Sequence, residues 1–202
     1  MLRRWGTRDE DIRKESIESI YEETQRMRTM TQQLLTLASS QQQDSEPYER
    51  VELVDCCQQV VAHLKPVHER QISIFTEEKE IWLDANLAKI KQLLVILLDN
   101  ALKYSSEEIE IWISTDEKDV HLRVKDYGIG IPEGEIKRVF ERFYRVDSSR
   151  HRKTGGTGLG LPIAKTITDA HQGTIRMESA EGEGTDVIVT LPQKQQERLS
   201  LQ

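Results

Sequence analysis

The sequence predicts an α/β sandwich of the α+β class: one mixed sheet covered by helices on one face, preceded by a long helix. Three observations predict it. Apolar residues recur at three and four over 9–40, over 87–103 and after residue 160, the period of a helix with one buried side. Between and after these segments, short runs alternate at period two around polar turns, as antiparallel hairpins do. Regular strand–helix–strand repeats are absent, so a doubly wound parallel sheet is not expected.

The elements follow in order. Residues 1–5 (Met-Leu-Arg-Arg-Trp) read as the end of an earlier helix and Gly6 as its cap, so a partner helix is expected upstream. Residues 9–40 read as one helix with a narrow stripe of Ile17, Ile20, Tyr21, Thr24, Met27, Met30, Leu34 and Leu37. Such a stripe suits packing against one or two other helices; left bare, it would invite aggregation. Residues 41–48 are polar with a proline and read as a linker. Residues 49–192 then form the main domain. Strands are expected at 49–53, 71–75 and 80–83, with a helix at 54–70 between the first two. A strong helix follows at 87–103, with Leu87, Ile90, Leu94, Leu97, Leu98 and Ala101 on its buried side. Residues 109–115 and 120–125 alternate as a hairpin, 133–140 reads as a short helix, and another helix ends near Ala170 at His171-Gln-Gly173. A last hairpin is expected at 174–179 and 185–191, before a polar, flexible tail at 193–202.

Composition narrows the function. The net charge of −7 over 202 residues argues against a general nucleic-acid or membrane-surface binder. No run is apolar and long enough to span a bilayer and no signal peptide is seen. The two cysteines, Cys56 and Cys57, are adjacent, so no disulfide framework is expected and a cytoplasmic setting fits. A vicinal pair could also bind metal, but no second ligand pair follows it.

The chemistry concentrates in residues 126–162, where Asp126-Tyr-Gly-Ile-Gly-Ile-Pro132 and Gly155-Gly-Thr-Gly-Leu-Gly-Leu-Pro162 bracket a charged, aromatic stretch. The second cluster runs into the helix of Leu161, Ile163, Ala164 and Ile167. A glycine-rich turn at a helix N-terminus presents N–H groups and a dipole to an anion. An aspartate beside the first cluster repels phosphate and suits a donor such as the adenine amine. Together they suggest a nucleotide held by its base at one end and its phosphates at the other. A dinucleotide oxidoreductase is excluded, because the residues before the second cluster are polar and basic and its third glycine is misplaced. No Walker A loop is present.

Four blocks in order then resemble those of sensor histidine kinases. Leu97-Leu-Asp-Asn100-Ala-Leu-Lys103-Tyr104-Ser resembles their N box, and Asp126-Tyr-Gly128-Ile-Gly130 their G1 box. Phe140-Glu-Arg-Phe143-Tyr-Arg145 resembles the F box, and Gly156-Thr-Gly158-Leu-Gly160-Leu the G2 box. The resemblance covers about 45–192 and, more weakly, 9–40, which looks like the second helix of the dimerisation and histidine-phosphotransfer hairpin. It implies the Bergerat ATP-binding fold, with ATP and Mg²⁺ as cofactors. It implies Asn100 as the Mg²⁺ ligand, Lys103 at the phosphates and Tyr104 against adenine. It implies Asp126 as acceptor of the adenine amine, with Gly128, Gly130 and Ile131 passing under the base. Arg142 and Arg145 are candidates for phosphate contact and catalysis; each is equally open to being a surface charge. Gly156, Thr157, Gly158, Leu159 and Gly160 would form the phosphate loop, and Thr185 would support Asp126. Residues 131–157 would be a mobile lid.

Two departures matter. None of His63, His68, His121, His151 and His171 has the acidic, Arg-Thr-Pro context of the phosphoacceptor, so the chain is expected to bind ATP without phosphorylating itself. His151, between Arg150 and Arg152, reads as part of a solvated basic patch. Ile96 stands one turn before Asn100, where many such kinases carry a second Asn and related ATPases a water-activating Glu. Slow ATP hydrolysis is therefore expected, and full Mg²⁺ coordination is in question. The implied partners are the histidine hairpin, a response regulator and, in an intact parent that is membrane-anchored, a second copy. A non-catalytic nucleotide-binding module and a serine-directed kinase of the same superfamily are the alternatives.

Overall fold

The computed structural model describes residues 10–39, 47–64, 70–146 and 156–194. The expectations for residues 1–6, for most of the linker, for His68 and for the Arg150–His151–Arg152 patch lie outside them. Helix α1 spans Glu10–Ser39; β1 is Glu49–Glu52 and α2 Leu53–Leu64; β2 is Ile72–Phe75 and β3 Trp82–Ala85. Helix α3 spans Leu87–Tyr104, β4 Ile109–Thr115, β5 Asp119–Asp126, α4 Gly160–Ala170, β6 Thr174–Ala180 and β7 Gly184–Pro192. Five strands form one mixed sheet in the order β2-β4-β5-β7-β6, with β2 parallel to β4 and every other pair antiparallel. Strands β1 and β3 form a separate antiparallel pair. This is the predicted sandwich.

The pleat decides which side chains reach the core. Inward positions alternate along β4 (Ile109, Ile111, Ile113), β5 (Val120, Leu122, Val124) and β7 (Val187, Val189, Leu191). Helix α3 covers this face with Ile90, Leu93, Leu94, Leu97, Leu98, Ala101 and Leu102, spaced at three and four as its period requires. Helix α4 adds Ile163, Ala164 and Ile167. Cys56 and Cys57 lie in the core face of α2, where burial pushes the Cys56 thiol up to about 11 and raises Cys57 well above the usual range. Thiols held protonated pack as small apolar groups and are poor nucleophiles.

Helix ends are tied to one another. The Asn86 side chain caps α3 by accepting from Lys89 N–H at 3.0 Å. Asn86 N–H in turn donates to His171 Nε2 at 3.1 Å, and His171 Nδ1 lies 2.8 Å from the Ile167 carbonyl. Buried His171 thus caps α4 and also joins it to the start of α3. At the other end of α3, Arg70 donates to the carbonyls of Leu102 and Ser105.

Several boundaries depart from expectation. The third strand starts at Trp82, because Ile81 N–H donates to Glu52 Oε1 and Ile81 C=O accepts from Leu53 N–H. The helix expected over 54–70 ends at Leu64 in the described residues, two positions before Pro66, and Arg70 is a bend. The segment 133–140 forms two short 3-10 turns, Glu133–Glu135 and Arg138–Phe140. Gln193, placed in a flexible tail, is instead pinned: its N–H donates to Lys118 C=O at 2.8 Å and its C=O accepts from Asp84 N–H at 2.9 Å. Finally, the α1 stripe is largely bare, with Ile17, Ile20, Tyr21, Met27 and Leu34 exposed; Met30 packs on the core.

Arg70→Ala removes a charged donor from two carbonyls at the end of α3. The expected cost is about 1.5–3 kcal/mol, or a fall in melting temperature of about 3–12 °C for a domain of this size. An unchanged melting curve would refute this role.

Candidate functional site

The register that builds the sheet also builds a site. Asp126 continues the inward series 120, 122 and 124 on β5, so the pleat carries a carboxylate onto the core face, where it is 7% exposed. Across the ladder it faces Thr185, which in turn faces Ser179. Gly128 N–H donates to Asp126 Oδ1 at 2.9 Å, and the Thr185 backbone also donates to this carboxylate. Burial raises the Asp126 pKa above the usual aspartate range; the two N–H groups pull it back in part, and nearby Asp186 adds to the rise. Ser179 Oγ accepts from Ile131 N–H at 2.8 Å and lies 3.0 Å from Thr185 Oγ1, tying the loop after β5 to β7.

Two glycines are required by close approach. A Cβ on Gly128 would sit 2.2 Å from the Tyr104 carbonyl oxygen, and one on Gly130, at φ +65°, would sit 1.9 Å from the Ala180 carbonyl oxygen. The segment after β5 therefore threads between the end of α3 and the β6–β7 turn, and Ile129 N–H bonds the Tyr104 carbonyl at 3.2 Å.

A cleft opens between α3, α4, the end of the sheet and the segment 139–146, with about 1150 Å³ of empty space including its mouth, ample for a small-molecule ligand. Asn100, Lys103, Tyr104, Asp126, Gly130, Ile131, Arg145, Gly156, Thr157, Gly158, Gly160 and Thr185 all line it. Residues from four separate blocks of sequence thus share one wall. Arg142 is exposed and does not line the cleft. Leu159 is fully buried in the core, and Gly128 stands behind the wall.

At the Asp126 end the cleft is buried and anionic. At the other end α4 begins at Gly160 without a side-chain cap, and Gly160, Leu161 and Pro162 line the cleft, so the positive end of the helix dipole lies there. Between them, Asn100 keeps a buried amide nitrogen with no hydrogen-bond partner among the described residues. A half turn of that amide exchanges nitrogen for oxygen, so the cleft holds an uncommitted carboxamide. Lys103 is held at the rim by Asp99 at 2.5 Å. Ile96 adjoins the same glycine as this group: a Cβ on Gly160 would meet Ile96 Cγ2 at 3.4 Å and Asn100 Nδ2 at 3.9 Å.

The segment expected to be a lid is docked in its described part. Val139 is buried, and Ile136, Phe140, Tyr144 and Val146 pack on the core. Arg138 lies over the Tyr144 ring at 4.1 Å. Phe143, at the unusual φ of 64°, donates its N–H to Gly158 C=O at 2.9 Å, joining the third block to the fourth.

Residues 85–195 match the family described as histidine kinase-, DNA gyrase B- and HSP90-like ATPases. The chain belongs to this family. It is 43% identical over 189 residues to the sensor histidine kinase YkoH of Bacillus subtilis (strain 168), covering 94% of this chain and 42% of that protein. It is 37% identical over 185 residues to the sensor histidine kinase WalK of the same organism, covering 87% of this chain and 30% of that protein. The chain therefore spans less than half the length of these relatives. Among solved structures it resembles the nucleotide-free catalytic domain of histidine kinase ThkA, with a TM-score of 0.64 and 25% identity over 73% of this chain and 96% of that one. It also shares the fold of the Acinetobacter baumannii histidine kinase AdeS, with a TM-score of 0.72 over 93% of this chain and 86% of that one. The chain thus shares the family and the fold of the catalytic domain of sensor histidine kinases.

Several lining residues of this family site had not been singled out. Met177 and Val187 sit on the inward period of β6 and β7, so the pleat alone would have placed them there. Tyr144 and Asp99 adjoin residues that were chosen. Gln33 comes from α1; nothing in that polar stretch marks it.

The Asp126 carboxyl has a higher pKa folded than unfolded. Its contribution therefore favours the fold below the ordinary aspartate pKa and is lost as pH rises through the raised value. A carboxyl-carbon NMR titration is expected to give Asp126 a midpoint above ~3.9. A midpoint at or below that value would contradict the burial described.

Proposed function

We propose that this chain binds ATP with the adenine amine on Asp126 and the phosphates at residues 156–160. We further propose that it hands the γ-phosphoryl group to a histidine on a hairpin domain, from which a response-regulator aspartate receives it. The observation that carries this reading is the polarity of the cleft: a buried carboxylate at one end and an uncapped helix N-terminus at the other. In this reading Tyr104 packs against the base, and the backbone of Gly130 and Ile131 passes beneath it. Thr185 holds Asp126 in place. Lys103 exchanges Asp99 for phosphate when the nucleotide arrives, and Arg145 meets the phosphates from the lid side. Arg142, exposed and off the cleft, has no part in this scheme.

Mg²⁺ fits the site through Asn100, whose uncommitted amide offers a neutral oxygen to a hard cation. Bound there with the nucleotide, it would neutralise phosphate charge. The chain's own residues orient the γ-phosphate and keep water from it. Ile96 places no carboxylate beside the group that water would attack, which supports slow hydrolysis. Helix α1 is proposed as the second helix of the dimerisation hairpin, consistent with its exposed Ile17, Ile20, Tyr21, Met27 and Leu34.

Incubation with γ-labelled ATP and Mg²⁺, with and without a separately purified histidine hairpin, tests the reaction. Acid-labile label on the added hairpin and none on this chain is expected. Label on neither, with nucleotide binding intact, would favour a non-catalytic module. Asp126→Asn is expected to weaken ATP binding about tenfold or more, the loss of one hydrogen bond to a charged group. Asn100→Ala is expected to weaken it by a similar factor with Mg²⁺ and to have little effect in a chelator. Isothermal titration checks both; an equal effect of Asn100→Ala with and without metal would remove Asn100 as the ligand.

A further inference from the structure

Gln33 stands on α1, far in sequence from the blocks that form the cleft, yet it lines the cleft. The Thr157 hydroxyl donates to Gln33 Oε1 at 2.7 Å and accepts from Leu159 N–H at 3.3 Å. A hydroxyl has one proton to give. While α1 is docked, the hydroxyl proton of the phosphate-loop threonine is committed to an oxygen carried by another helix. A phosphate oxygen arriving at the loop is also an acceptor and needs the same proton.

We propose that Gln33 occupies the phosphate end of the site in place of a nucleotide oxygen, so that α1 docking and triphosphate binding compete for the Thr157 hydroxyl. The proposal rests on the reading of this cleft as an ATP site. Among the described side chains, the docking it invokes is light. Helix α1 leans on α4 mainly around Met30 and Gln33, which are half-buried, while Ile12, Ile17, Ile20, Tyr21, Met27, Leu34 and Leu35 remain exposed. A contact this small is within reach of displacement by a phosphate. Linkage then works in both directions: whatever draws α1 away tightens ATP by the same factor by which ATP weakens α1 docking. Repacking of the bare α1 stripe against other helices would thus raise the affinity for ATP. Adenosine, which carries no phosphate, leaves the contact undisturbed.

Isothermal titration of the full chain with ATP·Mg²⁺ and with adenosine tests this, using the parent, Gln33→Ala, Thr157→Val and the double variant. Gln33→Ala is expected to tighten ATP about 2- to 10-fold, the range of one neutral hydrogen bond, and to leave adenosine unchanged. In the Thr157→Val background the same substitution is expected to change nothing. Unaltered ATP affinity in Gln33→Ala overturns the proposal. Weaker ATP binding overturns it too, since Gln33 would then be a nucleotide ligand and not a competitor. Failure of the parent to bind either ligand would overturn the reading of the cleft itself, a result distinct from both.

Discussion

The packing of α3 across the sheet is the constraint on which the rest of the molecule depends. Seven apolar side chains spaced along that helix are buried in the core it shares with β4, β5, α2 and α4. At about 1.5–3 kcal/mol for each large side chain, this contact outweighs any single polar interaction in the domain. It leaves α3 little freedom to rotate. With the rotation set, Asn100, Lys103 and Tyr104 come to the cleft edge as neighbours of buried Leu97 and Ala101. Both ends of the helix are tied down as well, through Asn86 and His171 at the start and Arg70 at the finish. A site assembled on a helix fixed in this way needs little reorganisation when a ligand arrives.

The same pleat that buries apolar residues buries Asp126, and there the core gives up stability. A carboxylate there is disfavoured by desolvation, as the direction of its pKa shift records. Two backbone N–H groups offset part of that cost without exhausting the carboxylate's capacity as an acceptor. The residue is thus held in place and able to take one more donor. The opposite end of the cleft is the start of α4, which no side chain caps and whose dipole favours an anion. The cleft therefore has a chemical direction before any ligand enters.

The parts of this fold that could be read from the sequence were those governed by period. The α3 face, the β4–β5 and β6–β7 hairpins and the start of α4 beside the second glycine cluster follow from spacing alone. The four blocks that line the cleft could be read because glycine, asparagine and aspartate stand where an apolar segment has no packing use for them. What could not be read depends on distant partners. The start of β3 moved to Trp82 because Glu52, across the chain, takes the Ile81 N–H. Gln193 looked like tail until its contacts with Lys118 and Asp84 were known. Arg70 and Gln33 carry no local signal, since each acts on a segment remote in sequence. Arg142 and Arg145 look alike in the sequence, but the turn at Phe143 sends only Arg145 to the cleft.

The direction of the cleft is proposed to dictate the direction of the nucleotide. A crystal structure of this chain with a non-hydrolysable ATP analogue and Mg²⁺ tests it most directly. The adenine amine is expected within hydrogen-bond distance of the Asp126 carboxylate and the triphosphate against residues 156–160. A base seated at the start of α4, or phosphates beside Asp126, would contradict it.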